Sequence, residues 1–214
     1  MALSTYANLT SAIQNWLHRS DLSSYVDDFV TLGESRIYND LRIREMETVT
    51  TSTVSSGVIA VPSNYIEMKS AYVSSVNPNV KLERKTAEWI YEYYPDRTAT
   101  DIPLFFAREG SNFIFGPYSD GAYAVTMNYY NKLAALSSAV NTVFTTYPGL
   151  WLFASLSETA PFLKDDKRII IWEAKYQDLL KKIQKESDDE EWSGSNLRIT
   201  SDIQMSRIHQ IKLS

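Results

Sequence analysis

The side chains able to do chemistry are few, and nearly all are carboxylates. Asp27 beside Asp28, Asp165 beside Asp166, and the run Asp188, Asp189, Glu190 and Glu191 are of the type that suits general acid–base work. A glycosidase needs two carboxyls about 5 to 9.5 Å apart across a cleft, whereas adjacent acids on a helix point in different directions. Helix capping accounts for Asp165 and Asp166, and a solvated face for Asp27 and Asp28. The 186–191 run reads as exposed, or as paired with basic groups of another chain. The 214 residues hold no cysteine, and the two histidines, His18 and His209, stand at opposite ends. Thiolate nucleophiles, iron–sulfur centres and sulfur-ligated zinc are thereby excluded, and a multi-histidine metal site needs a second subunit. The seven glycines never take the phosphate-loop or dinucleotide spacing, and no G-x-S-x-G elbow occurs. The expected cofactor complement is none.

The elements that must position these groups come in three blocks. Residues 1–45 read as a helical hairpin. Ser4 or Thr5 caps a helix carrying Tyr6, Leu9, Ile13, Trp16 and Leu17 at spacings of three and four, which stops at His18, Arg19 and Ser20. Asp21 or Ser23 starts a second, with Leu22, Tyr25, Val26, Phe29, Leu32, Gly33, Ile37 and Leu41 on one face. Asp27, Asp28, Glu34, Arg36, Asn39 and Asp40 largely take the other side.

Residues 46–132 change to strand character. Residues 48–54 and 58–61 flank Ser55, Ser56 and Gly57 and read as a hairpin, 65–75 and 80–84 as another, and 104–108, 112–115 and 122–131 as three further strands. A short helix at 86–94 ends at Pro95. The expectation is one compact β layer of about six strands.

Residues 133–191 return to helix. Pro148 suits a first helical position. Leu150, Trp151, Leu152, Phe153, Leu156, Ala160, Phe162 and Leu163 leave little polar face, so this helix must be enclosed on several sides. Asp165 or Asp166 caps a last helix striped by Ile169, Trp172, Tyr176, Leu179, Leu180 and Ile183. The fold expected is α+β, a four-helix bundle of two N-terminal and two C-terminal helices with an inserted antiparallel β-rich layer and an extended C-terminal arm. In the arm, 192–214, the apolar residues are spread among Ser, Asn, Gln and Arg with no steady period. The arm carries a charge of +2 against −7 for residues 1–191, and reads equally as a docking arm or a frayed tail.

Charge and hydropathy limit the partners. With 21 basic and 26 acidic residues the net charge is −5, unsuited to wrapping nucleic acid. Arg36, Arg42, Arg44, Lys81, Arg84 and Lys85 stand among acids, so ion pairing between domains or subunits is favoured over a nucleic-acid patch. No signal peptide is apparent, and the apolar run 150–153 is far below a membrane span, so no membrane anchor is expected. Large apolar side chains are first of all core, yet they exceed what one bundle buries. Trp16, Phe29, Arg42, Arg44, Trp151, Phe153, Phe162, Trp172 and Tyr176 are therefore subunit-interface candidates. Leu197, Arg198, Ile199, Ile203, Met205, Arg207, Ile208 and Ile211 are the candidates for arm contacts with a partner.

Four phrases, in order, resemble the head-to-tail adaptor, or connector, proteins of tailed bacteriophages. T-Y-A-N-L with N-W-L-H-R-S-D (5–9 and 15–21) is similar to that family's first helix. G-E-S-R-I-Y-N-D-L-R-I-R-E-M-E (33–47) is similar to its long second helix and exit. Residues 61–69 resemble its post-hairpin strand, although Leu-Pro and Asp-Phe are more usual there. Tyr147, Pro148, Leu150, Ala154, Ser155, Leu156, Ala160, Phe162, Leu163, Asp165, Asp166, Arg168, Trp172 and Tyr176 follow its closing helical hairpin. The likeness runs from about 4 to 198. It implies a homo-oligomeric ring, usually of twelve copies, seated under the portal protein and bearing the tail nozzle or tail tube. DNA passes through such a ring without sequence-specific binding, in the virion after assembly in the host cytoplasm. The enzymatic alternative is a tail-associated peptidoglycan hydrolase using Glu158, Asp165 and Asp166.

Overall fold

The computed structural model describes residues 3–19, 21–54, 57–96, 100–163 and 166–192. Helix α1 (Tyr6–Leu17) begins where the Thr5 hydroxyl accepts from the Asn8 amide and ends at His18, which has positive φ and is the one non-glycine residue to do so among the described residues. A 3-10 turn, Ser23–Tyr25, leads into α2 (Val26–Asp40). In the β region come β1 (Glu47–Val54), β2 (Val58–Ala60), β3 (Tyr65–Val73), β4 (Val80–Lys81) and β5 (Glu83–Arg84). Then follow α3 (Ala87–Tyr93), β6 (Thr100–Asp101), β7 (Phe105–Glu109), β8 (Asn112–Gly116), β9 (Tyr118–Ser119) and β10 (Tyr123–Asn131). The short α4 (Thr142–Thr146), capped by Asn141, precedes α5 (Pro148–Ser157) with Pro148 in its first turn. A 3-10 turn at Ala160–Phe162 contains Pro161, and α6 (Arg168–Trp192) closes the described chain.

The helices do not form a four-helix bundle. Six α-helices are present among the described residues, and α1, α2, α4 and α6 all pack on α5. A bundle needs each helix to contribute one apolar stripe, whereas α5 buries Leu150, Trp151, Leu152, Ala154 and Leu156 on several sides at once. It therefore sits inside a shell of neighbours. The extended arm of the expected fold lies outside the described residues.

The β region is also more than one layer. The first sheet is antiparallel in the order β1-β10-β3-β4. The second runs β2-β8-β7-β5, with β5 parallel to β7, and a small parallel pair joins β6 to β9. A core between the two larger sheets holds Val54, Val73, Val125 and Met127 from the first and Ile59, Phe106, Phe113 and Phe115 from the second. The run Phe113, Ile114, Phe115 explains the arrangement. Its phenylalanines face the first sheet, and Ile114 turns the other way onto Ile90 of α3 and Ala107. The hairpin expected of 48–54 and 58–61 is not formed. β1 pairs with β10 and β2 with β8, because the turn at Gly57 carries the chain between sheets. That glycine has φ +70° and no room for a Cβ against the Tyr118 ring. The 65–75/80–84 hairpin forms only as far as Val80–Lys81, after which β5 joins the second sheet.

Candidate functional site

The helical half is tied together by one charged cluster. Arg36 of α2 donates to both oxygens of Glu173 on α6, at 2.8 and 2.5 Å, and lies 3.5 Å from Glu158 and 3.8 Å from Asp40. Its guanidinium covers the Tyr176 ring at 4.4 Å, and the Tyr176 hydroxyl donates to Asp40 at 2.8 Å. The hydrogen bonds from Arg36 hold the Glu173 carboxyl below the usual glutamate range, outweighing partial burial. A depressed folded value stabilises the protein above the unfolded pKa, near pH 4.5, and that stability is lost as pH falls through the folded value. Glu173→Gln is therefore expected to flatten the acid limb of a stability–pH curve below about pH 4.5, read by urea titration at each pH. An unchanged limb would assign acid sensitivity elsewhere.

The sequence places Glu34 on the polar side of the second helix, yet it is only 7% exposed. Its carboxylate accepts from the Leu136 amide at 2.8 Å and the Trp151 indole at 3.4 Å. Burial raises its pKa, and these two donors oppose the rise. The group anchors the connection after β10 to the helical core.

Of the interface candidates, Phe29, Trp151, Trp172 and Tyr176 are buried within the subunit and Phe153 is half-buried. Their excess over a bundle's need is absorbed by enclosing α5. Trp16 and Phe162 remain exposed, at 44% and 43%. The structure brings these two to one end of the helical half. Trp16 meets Phe153 edge-on, Phe162 contacts both Tyr25 and Phe29, and Arg168 donates to the carbonyls of Trp16 and Leu17. A cavity of about 560 Å³ lies here, lined by Leu17, His18, Arg19, Phe162, Leu163, Asp166 and Arg168. Tyr25, against Phe162, is exposed here, and Ile170 and Ile171 are exposed in the first turn of α6, two and three residues after Arg168. These three were missed. The signal for the last two was present, since Ile169, Ile170 and Ile171 in succession are more than one helical stripe can bury.

The seam between helices and sheet holds the basic candidates. Arg42 pairs with Glu67 at 3.2 Å and donates to the carbonyls of Tyr38 and Leu41. The Arg44 amide donates to the Ser187 hydroxyl at 3.1 Å. Lys69 joins Glu47 at 2.7 Å to Glu191 at 2.9 Å. These contacts are internal to the subunit and bind the β region to α6. The arm candidates Leu197, Arg198, Ile199, Ile203, Met205, Arg207, Ile208 and Ile211 lie outside the described residues.

The carboxylates of the hydrolase alternative have other partners. Asp166 accepts from the Arg168 amide and guanidinium, which pull its pKa down, the reverse of a general acid. Glu158 faces Arg36, and Asp165 lies outside the described residues. Among the described residues no three His, Cys, Asp or Glu side chains are placed to hold a metal ion. No described helix is long and apolar enough to cross a membrane.

No curated protein matches the chain in sequence. The sequence model of the SU10 adaptor protein family matches residues 4–199, spanning all six helices and both larger sheets. The chain therefore belongs to the SU10 adaptor protein family, a family of structural phage head-to-tail adaptors.

Proposed function

We propose that the protein is assembled as a ring, of twelve copies in the virion, that attaches beneath the portal and gives the tail nozzle or tail tube its platform. Side-to-side contacts in such a ring are heterologous and must close. The observation that carries this reading is the exposed apolar end formed by Trp16, Tyr25 and Phe162, with Ile170 and Ile171 also exposed in the first turn of α6. An apolar group of this kind rimmed by ion pairs, here Arg19–Asp21 and Arg168–Asp166, is the form taken by a protein contact. Family membership supports the structural role. The net charge of −5 per chain multiplies to about −60 in a dodecamer, which repels DNA in transit and keeps it from sticking to the lumen. Assembly takes place in the host cytoplasm, ahead of incorporation at the head–tail junction.

The test is Trp16→Lys combined with Ile170→Glu, both at exposed positions. Mixed with purified portal protein and sized by light scattering, the double variant is expected to need at least about tenfold more protein to form rings. Its melting temperature should stay near wild type. Rings forming at the wild-type concentration would remove this end of the molecule from the assembly interface.

A further inference from the structure

The first sheet ends on one side in β1, eight residues reading E-T-V-T-T-S-T-V. Its register against β10 is unbroken from Glu47 to Val54. It contains no proline or lysine, and after Glu47, whose amide donates to the Arg44 carbonyl, no described backbone group outside its own ladder bonds to it. Long, regular, uncharged edges offer a row of free N–H and C=O groups, and proteins ordinarily blunt or cover them. β1 carries none of those protective features after Glu47.

What leads the chain to this edge is the direction of α6. The chain entering β1 runs beside the last turns of that helix in the same sense. Arg42 exchanges hydrogen bonds with Gln184, Arg44 bonds Ser187, and Glu47 meets Glu191 through Lys69. Both therefore advance together, and α6 ends beside the start of β1. Residues 193–196, Ser-Gly-Ser-Asn, have turn composition and span at most about 14 Å. That covers the roughly 10 Å from a helix axis to a neighbouring strand position.

The next nine residues, Leu197 to Met205, read L-R-I-T-S-D-I-Q-M. Odd positions are Leu, Ile, Ser, Ile and Met, and even ones are Arg, Thr, Asp and Gln, a period of two that suits a strand with one covered face. The irregularity of the whole arm comes from residues after Met205. Residues 197–205 are neutral overall, with Arg198 and Asp202, and Arg198 is the first charge after Glu190 and Glu191, which line one pocket with Glu47.

We propose that residues 197–205 add to the free edge of β1 in the same chain, as a fifth, parallel strand of the first sheet. The Leu197, Ile199, Ile203 and Met205 side chains then continue the face that carries Val125 and Met127. Residues 206–214, with Arg207 and Lys212, are left to reach a neighbouring molecule. This inference does not depend on the ring proposal, and either stands if the other fails.

Amide hydrogen exchange on the intact chain tests it. An edge strand without a partner leaves its outward amides exchanging at nearly the unprotected rate. The expected result is protection of amides throughout residues 48–54, at all protein concentrations over a hundredfold range. Ile199→Pro and Ile203→Pro, which each remove a ladder donor, should speed exchange of the outward β1 amides by about tenfold or more. Amides of β10 and β3 serve as the internal measure that the sheet is intact. Fast exchange of alternate β1 amides in the intact chain would sink the proposal, whatever the variants do. Protection that grows with concentration would also overturn it, since the strand would then come from another copy.

Discussion

Trp151→Ala is expected to lower unfolding free energy by about 3–5 kcal/mol, the range for truncating a large buried aromatic. Trp151 is wholly buried, its ring is met edge-on by Phe144 at 5.7 Å, and it lies in α5 where four other helices converge. The surrounding helices are held by one another and by the Arg36 cluster, so the site cannot collapse to fill the void. For a chain of this size the loss corresponds to a fall in melting temperature on the order of 10 °C. The substitution also removes the indole donor to Glu34, one of the two bonds that oppose the rise of its pKa on burial. A group whose folded pKa is raised stabilises below its unfolded value and loses that stability as pH rises through the folded one. Without the donor the folded pKa of Glu34 rises further, so the deficit of Trp151→Ala should be larger at pH 8 than at pH 5. Trp151→Phe, which keeps most of the volume and loses only the donor, should show the same pH trend at about 1–2 kcal/mol. Equal deficits at both pH values would remove Glu34 from the account.

Gly33→Val is the second large effect expected. Gly33 lies where α2 meets α5, and a Cβ there would stand 2.9 Å from the backbone nitrogen of Ser155. Backbone cannot rotate away as a side chain can, so α2 and α5 must separate along the contact that organises the helical core. Overpacking of this kind costs about 1–3 kcal/mol. The valine branches add to the Cβ, placing the expected loss at the upper end, near 3 kcal/mol by chemical denaturation. Gly33→Ala has the same first clash, offset by about 1 kcal/mol of helix propensity, and should lose less. If valine and alanine were both neutral, the helices would have to be further apart than the structure places them.

Ser155 adds to this reading. Its hydroxyl is buried without a hydrogen-bond partner, as expected where two helices approach too closely to admit water.

Much of the local structure was legible beforehand. The Thr5 cap, the stop at His18, Pro148 at the head of α5 and Asp166 before α6 all act within one turn of helix. Most strands were legible too, because alternation is a property of adjacent residues. The pairing of β1 with β10 was not. The residues of that ladder are separated by most of the β region, and Ser55, Ser56 and Gly57 made the nearer partner the natural reading. Glu34 escaped for a related reason. Its helical position is at the border of the apolar stripe, and only the arrival of Leu136 and Trp151 makes burial of a carboxylate tolerable.

The same division holds for the surfaces. Residue types told that large apolar groups exceed a bundle's need, and they could not say which would be spent inside. Phe29, Trp151, Trp172 and Tyr176 went to the core, while Trp16 and Phe162 stayed at the surface.

By itself the sequence determined the type and approximate limits of most elements, the absence of thiol chemistry and the four phrases that mark the family. Tertiary structure alone decided that α5 is enclosed rather than bundled, that the strands form two facing sheets, and that Ile170 and Ile171 look outward. Periodicity is set among residues a few positions apart. The choice of partner is settled only when every apolar face must be covered at once by elements distant in the chain.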